Sequence, residues 1–194
     1  MSILWQGVAF MARKENQRIA LTRRLLQEGL LRLLRVEKLE NISVTALCKE
    51  AGINRATFYN HYTSPAALLS EMEQQFVSEL KTLTKAPSSI DEIADILEQQ
   101  CIKLKEHADL VSILVHYQAD RDIEKIFTNM ASYYGKNRLD VSKTHMDADT
   151  THLVSTFLYS GCYILVREWL IRDIRKTPRE IAELILSMIS KDYL

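Results

Sequence analysis

No stretch of this chain alternates apolar and polar residues convincingly at the period of two that a half-buried strand needs. No segment repeats at spacings of roughly 20–50 residues, which excludes solenoids and propellers. Proline is scarce, with three in 194 residues, so Pro65, Pro87 and Pro178 each carry weight as punctuation. Cysteine is equally sparse. Cys48, Cys101 and Cys162 stand far apart, form no CxxC pair and have no histidine at ligand spacing, which argues against a disulfide framework and a zinc site. Buried reduced thiols in a cytoplasmic protein are expected instead. His107, His116, His145 and His152 are scattered, without HxxxH or HExxH spacing, and there is no Walker loop, GxSxG elbow or dinucleotide fingerprint. An enzyme has no residues to stand on, and neither a cofactor nor a metal is expected. Residues 1–10 lack the basic start and long apolar core of a signal peptide. Met11, followed by Ala-Arg-Lys, is a second candidate start.

Net charge is also missing: 25 Lys and Arg balance 25 Asp and Glu. The balance conceals a division. Up to Pro65 there are ten basic residues against five acidic, and from Ala66 onward fifteen against twenty. A basic head on an acidic body suits a nucleic-acid reader joined to a part that does not touch DNA.

Residues 42–62 are the most informative. They read as two short helices with a tight turn at Gly52, where a left-handed backbone is usually needed. Ser43 is the expected N-cap of the first helix and Asn54 that of the second. Leu47 and Ala51 share one face of the first, Phe58 and Tyr62 one face of the second, so the pair can pack through them. Arg55, Ala56, Thr57, Tyr59, Asn60 and His61 are left outward, a surface suited to nucleic acid. The pattern is a helix-turn-helix.

The order Ser-Val, Ala-Gly-Ile and Phe-Tyr-Asn-His-Tyr at these spacings resembles the TetR family of bacterial transcriptional regulators, most specifically over residues 18–69. The resemblance implies that the second motif helix enters the major groove. It makes Arg55 a donor to guanine or phosphate, Ala56 and Thr57 the small residues that permit close approach, and Tyr59 and His61 a phosphate-binding pair. Thr45 corresponds to a recurrent phosphate contact, with Asn54 and Asn60 flanking. One departure stands out. The family often has a lysine at the start of the fourth helix, where this chain has Pro65, Ala66 and Ala67. That shifts the electrostatic load to Arg13, Lys14, Arg18 and Lys49.

The remaining pattern predicts an all-α fold of about nine helices: a flexible arm over 1–16, a helix-turn-helix domain over 17–64 and a helical regulatory and dimerisation body over 65–194. Helices are predicted over 17–36, 65–84, 91–105, 109–117, 122–138, 152–174 and 179–190 besides the motif pair, with a break at Ala86-Pro87 and a polar turn over 140–149. Residues 150–166 contain no Asp, Glu, Lys or Arg. They fall short of the ~20 apolar residues of a membrane span and are diluted by His152, Ser155, Thr156, Ser160 and Gly161. An interface helix fits better, and no membrane partner is expected.

The family resemblance implies a homodimer formed by the last two helices, with Phe157, Gly161, Ile164 and Leu186 as candidate interface residues. Tyr117, Phe127, Tyr133, Tyr134 and Tyr159 are candidates to line an effector pocket, although aromatics at helical spacing are more often core. The resulting expectation is a cytoplasmic, DNA-binding repressor released by a small molecule and acting on a near-palindromic operator. The first rival is a regulator or activator controlled by a protein partner. The second is an enzyme with an appended helix-turn-helix, which would require a polar cleft with convergent titratable groups.

Overall fold

The computed structural model describes the backbone of residues 3–83, 90–116 and 147–190. Among these there are eight α-helices and no strand. They are α1 (Ile3–Leu34), α2 (Val44–Ala51), α3 (Arg55–Tyr59), α4 (Pro65–Thr82), α5 (Ile90–Glu106), α6 (Ala108–His116), α7 (Ala148–Ile171) and α8 (Pro178–Ser190). A 3-10 turn, Leu39–Asn41, leads into α2. The helix expected over 122–138 and the break at Ala86-Pro87 lie outside the described residues.

The chain forms two compact units that divide between Gln74 and Gln75, inside α4. The sequence placed that division ahead of Pro65. The opening turns of α4 belong with the head because Leu68, Leu69 and Met72 are buried and the Tyr62 hydroxyl donates to Glu71. Apolar burial, at ~25 cal/mol per Å², outweighs the local break at Ser64-Pro65.

The head is built on α1, whose Leu26, Leu30 and Leu34 are buried. This helix begins at Ile3 and ends at Leu34, where a flexible arm over 1–16 and a helix over 17–36 were expected. Residues 8–17 contain neither glycine nor proline and several strong helix formers, so propensity carries the helix back past the point where its apolar stripe ends. Gly29 is buried against α2: a Cβ placed there would lie 3.2 Å from Ala51 Cβ and 3.3 Å from its backbone nitrogen. Glycine therefore lets the two helices approach at a distance that alanine would crowd. Arg32 then bridges α1 to Glu50 at the end of α2, donating to its carboxylate and to its carbonyl oxygen.

In the body, α5 packs mainly on α8, while α7 contacts α5, α6 and α8. Ile93, Leu97, Cys101 and Leu104 of α5 are buried, as are Ile181, Ala182 and Ile185 of α8. Arg179 fastens this pairing, with Nη1 at 2.9 Å from Asp95 Oδ1 and 3.2 Å from Glu98 Oε2, while its Nε reaches Glu183. Those three hydrogen bonds hold its guanidinium above the ordinary arginine pKa.

Helix α7 starts at Ala148, earlier than expected, because Asp147 caps it: the carboxylate accepts from the Thr150 amide at 2.7 Å. That bond, joined by the Thr150 hydroxyl, lowers the Asp147 pKa. The helix ends at Ile171 rather than 174, where Asp173 takes a left-handed backbone, φ 46°, and the Ile174 amide returns to the Trp169 carbonyl. The Trp169 indole donates to Lys176 O at 3.0 Å, closing the connection to α8. A capping box opens α8: Thr177 Oγ1 accepts from the Glu180 amide and Glu180 Oε2 from the Thr177 amide. No helix among the described residues is long and apolar enough to cross a membrane.

Candidate nucleic-acid interface

Each joint of the helix-turn-helix is secured by a local hydrogen bond. Ser43 Oγ accepts from the Ala46 amide at 3.1 Å, which starts α2. Gly52 ends it at φ 67°, its amide on Lys49 O and the Ile53 amide on Cys48 O, the paired bonds of a Schellman ending. Asn54 Oδ1 then accepts from the Ala56 amide at 2.8 Å and starts α3. Ser64 Oγ does the same for α4 through the Ala67 amide at 3.1 Å. The caps at Ser43 and Asn54 and the turn at Gly52 are those the sequence predicts.

Phe58 is fully enclosed and Tyr62 nearly so, with ring centroids 5.9 Å apart. Leu47, Cys48 and Ala51 present the buried face of α2. Burial raises the Cys48 thiol pKa, while the Arg55 guanidinium pulls it back. With one face of α3 used for packing, the rest is presented to solvent. Asn54, Arg55, Ala56, Tyr59 and Asn60 are exposed, Thr57 and His61 half-buried, and Thr45 is exposed on α2. The Tyr59 ring meets Phe58 edge-on at 5.6 Å. That contact braces an otherwise exposed phenol without taking its hydroxyl. The surface offers one guanidinium, one phenol, two amides and one imidazole beside small side chains. Such groups can donate to phosphate oxygens and to base edges.

Of the cations expected to assist, Lys49 and Arg18 are exposed, while the side chains of Arg13 and Lys14 lie outside the described residues. Other arginines of α1 are occupied: Arg32 pairs with Glu50, Arg24 with Glu28, and Arg23 with Glu71. Sequence reasoning missed Glu50, Glu71 and Gly29. A glycine inside a helical pattern was the one signal available for any of them.

The other sequence-predicted residues divide. Phe157 is 78% exposed and Ile164 45%, on the same helix as Gly161, where an added Cβ would meet nothing within 4 Å among the described residues. Leu186 on α8 is half-buried. Tyr117, Phe127, Tyr133 and Tyr134 lie outside the described residues, as does the side chain of Tyr159.

Residues 91–191 match a family model described as a transcriptional regulator C-terminal region of the TetR type. The chain belongs to the TetR family of transcriptional regulators. Solved structures agree in fold. A TetR transcriptional regulator from Streptococcus agalactiae 2603V is 20% identical with a TM-score of 0.58, covering 92% of this chain and 98% of its own. NalD, the secondary repressor of the MexAB-OprM multidrug efflux pump in Pseudomonas aeruginosa, is 16% identical with a TM-score of 0.60, covering 87% and 94%. The dihydroxyacetone kinase operon activator DhaS is 19% identical with a TM-score of 0.54, covering 87% and 93%. No curated sequence matches this regulator. The family model covers the body, whereas the helix-turn-helix was recognised from its own residues.

Proposed function

We propose that this TetR-family regulator is a cytoplasmic homodimer that binds a near-palindromic operator through α3 and represses transcription until a small molecule releases it. The observation that carries the DNA-binding part is the surface of α3. It is pinned by Gly52 and Asn54 behind and by Phe58 beneath, with Arg55, Tyr59 and Asn60 open to solvent. Arg55 reads guanine or phosphate, Ala56 and Thr57 let the helix approach, and Tyr59 and His61 position it on phosphate. Thr45, Asn54 and Asn60 add flanking contacts.

Dimerisation rests on the apolar face of α7, where Leu153, Phe157, Ile164 and Ile171 are exposed, together with Met188 on α8. Isolated apolar residues on a surface are ordinary, but one helix face carrying four of them calls for a partner. Gly161 lies among them, and an added Cβ there would meet nothing within 4 Å among the described residues, which suits a second helix crossing closely. A twofold arrangement matches a twofold-symmetric operator.

A second reading keeps the DNA-binding head and makes the protein an activator, with a protein partner rather than an internal ligand as its control. DhaS, described as an operon activator, favours the activation half of that reading. The deciding experiment is selection of duplexes from a randomised pool, followed by binding measured across salt concentrations. A palindromic site with affinity falling steeply as salt rises is expected, because phosphate contacts release counterions. Arg55→Ala should cost about 1–3 kcal/mol on that site and relax its base preference. Equal binding by wild type and a Tyr59→Ala/His61→Ala double variant would remove the head from consideration. Placed upstream of a reporter promoter, the selected site separates repression from activation.

A further inference from the structure

The recognition segment is too short to hold itself in place. Helix α3 has five residues, and isolated helices of that length are unstable. Its orientation must come from what grips it. Phe58 supplies an apolar anchor. At the far end the chain continues through Asn60 and His61 to Tyr62, with the Tyr62 amide returning to the Phe58 carbonyl at 2.9 Å. Tyr62 is buried, and its hydroxyl donates to Glu71 Oε1 at 2.9 Å. The same carboxylate oxygen lies 3.5 Å from Arg23 Nη1. One side chain of α4 thus joins α1 to the end of the recognition segment.

We propose that Glu71 is a positioning residue for DNA reading: by holding the Tyr62 hydroxyl and the Arg23 guanidinium together, it sets the angle at which α3 presents Arg55, Tyr59 and His61. The inference rests on the DNA-binding reading above. Glu71 touches no candidate DNA contact itself and acts through Tyr62, next to His61 in the chain. A buried phenol that loses its acceptor is costly, so Tyr62 follows α4 when α4 moves. Burial raises the Tyr62 pKa and the bond to Glu71 raises it further, so the phenol remains a donor well into alkaline solution.

The test measures affinity of the full-length protein for the duplex selected by wild type, at a temperature where melting curves show every variant folded. Tyr62→Phe keeps the ring and loses the bond; Glu71→Ala loses the carboxylate. Each should bind about tenfold more weakly, and the double variant no more weakly than Glu71→Ala alone, because the phenol acts through that carboxylate. Glu71→Gln, whose amide oxygen still accepts from the phenol, should stay within about threefold of wild type. The salt dependence should not change, since no phosphate contact is removed. Wild-type affinity in folded Tyr62→Phe, or losses that add in the double variant, overturns the assignment. Tyr62→Phe decides alone if Glu71→Ala does not fold. Failure of wild type to enrich any duplex defeats the DNA-binding reading itself, and this inference with it.

Discussion

The exposed faces of α3 and α7 differ in kind. On α3 the outward residues are Arg55, Ala56, Tyr59 and Asn60, able to rest in water and to exchange that water for phosphate and base edges. On α7 they include Leu153, Phe157, Ile164 and Ile171, which gain nothing from water. A polar face can wait for its ligand; an apolar one is stable only when covered. On the proposed reading, the head is suited to reversible association and the body to a lasting one. The charge division of the chain follows the same line.

Glutamates in α7 give the hardest test of that contrast. In the proposed dimer, Leu153→Glu with Phe157→Glu places charges in the α7 interface, where an unpaired buried charge costs about 3–5 kcal/mol. Sedimentation should show the dimer gone and circular dichroism the helices intact. Tyr59→Glu on α3 should leave the assembly unchanged. Should both changes leave the assembly as it was, the α7 face is not covered and the distinction fails.

Alkaline titration sharpens the head's side of it. Tyr62 holds its proton up to a pKa of about 12 in the fold, against about 10 unfolded. A raised folded pKa means that the stability is fully present below pH 10 and is lost as pH rises towards 12. At 1.36 kcal/mol per unit this is roughly 2–3 kcal/mol. Cys101 and Cys162, whose pKa values burial raises to about 12 and about 11, add a loss that begins lower, near pH 9. Urea unfolding between pH 8 and 12, followed in wild type and Tyr62→Phe, should show the variant lacking the portion above pH 10. Parallel curves would mean that the phenol ionises freely.

Two helical glycines, Gly29 and Gly161, provide a smaller contrast. Gly29→Leu should overpack the contact with Ala51 and cost about 1–3 kcal/mol in folding stability. Gly161→Ala meets nothing within 4 Å among the described residues of one subunit and should gain up to about 1 kcal/mol of helix stability. Gly161→Leu should cost the dimer about 1–3 kcal/mol while leaving the subunit folded. A concentration series of thermal melts separates the subunit effect from the dimer effect. The smallest effect is expected in the turn before α8. Asp173→Gly relieves a left-handed backbone and should stabilise by less than about 1 kcal/mol, read as a small rise in melting temperature. A fall there would show that the aspartate side chain contributes more than its backbone costs.

The head was legible in the sequence because its signals are short in range. Ser43, Gly52, Asn54 and Ser64 each act on an amide or carbonyl within a few residues, so the order of residues already contains the partner. The stripe Leu68, Leu69, Met72, Phe76 and Leu80 is buried for an equally local reason, since helical period alone puts those residues on one face. Helix ends were read less well. Asp147 was absorbed into a polar run though it caps α7, and α1 runs back to Ile3 with no stripe to mark it. Neither the charge nor the glycine pattern reveals that Arg32 meets Glu50, eighteen positions away, or that Arg179 meets Asp95, eighty-four away.

What the sequence determined by itself is the all-helical fold, the placement of the turn and caps of the reading motif, and the family that its residues resemble. Tertiary structure alone decided which cations remain open to a ligand and which are spent on carboxylates, which glycine is a close contact and which lies open, and that Glu71 sits beneath Tyr62. The physical reason is range. Backbone conformation responds to neighbours a few residues away, whereas ion pairing and packing depend on which helix faces are brought together, and that follows from the whole fold.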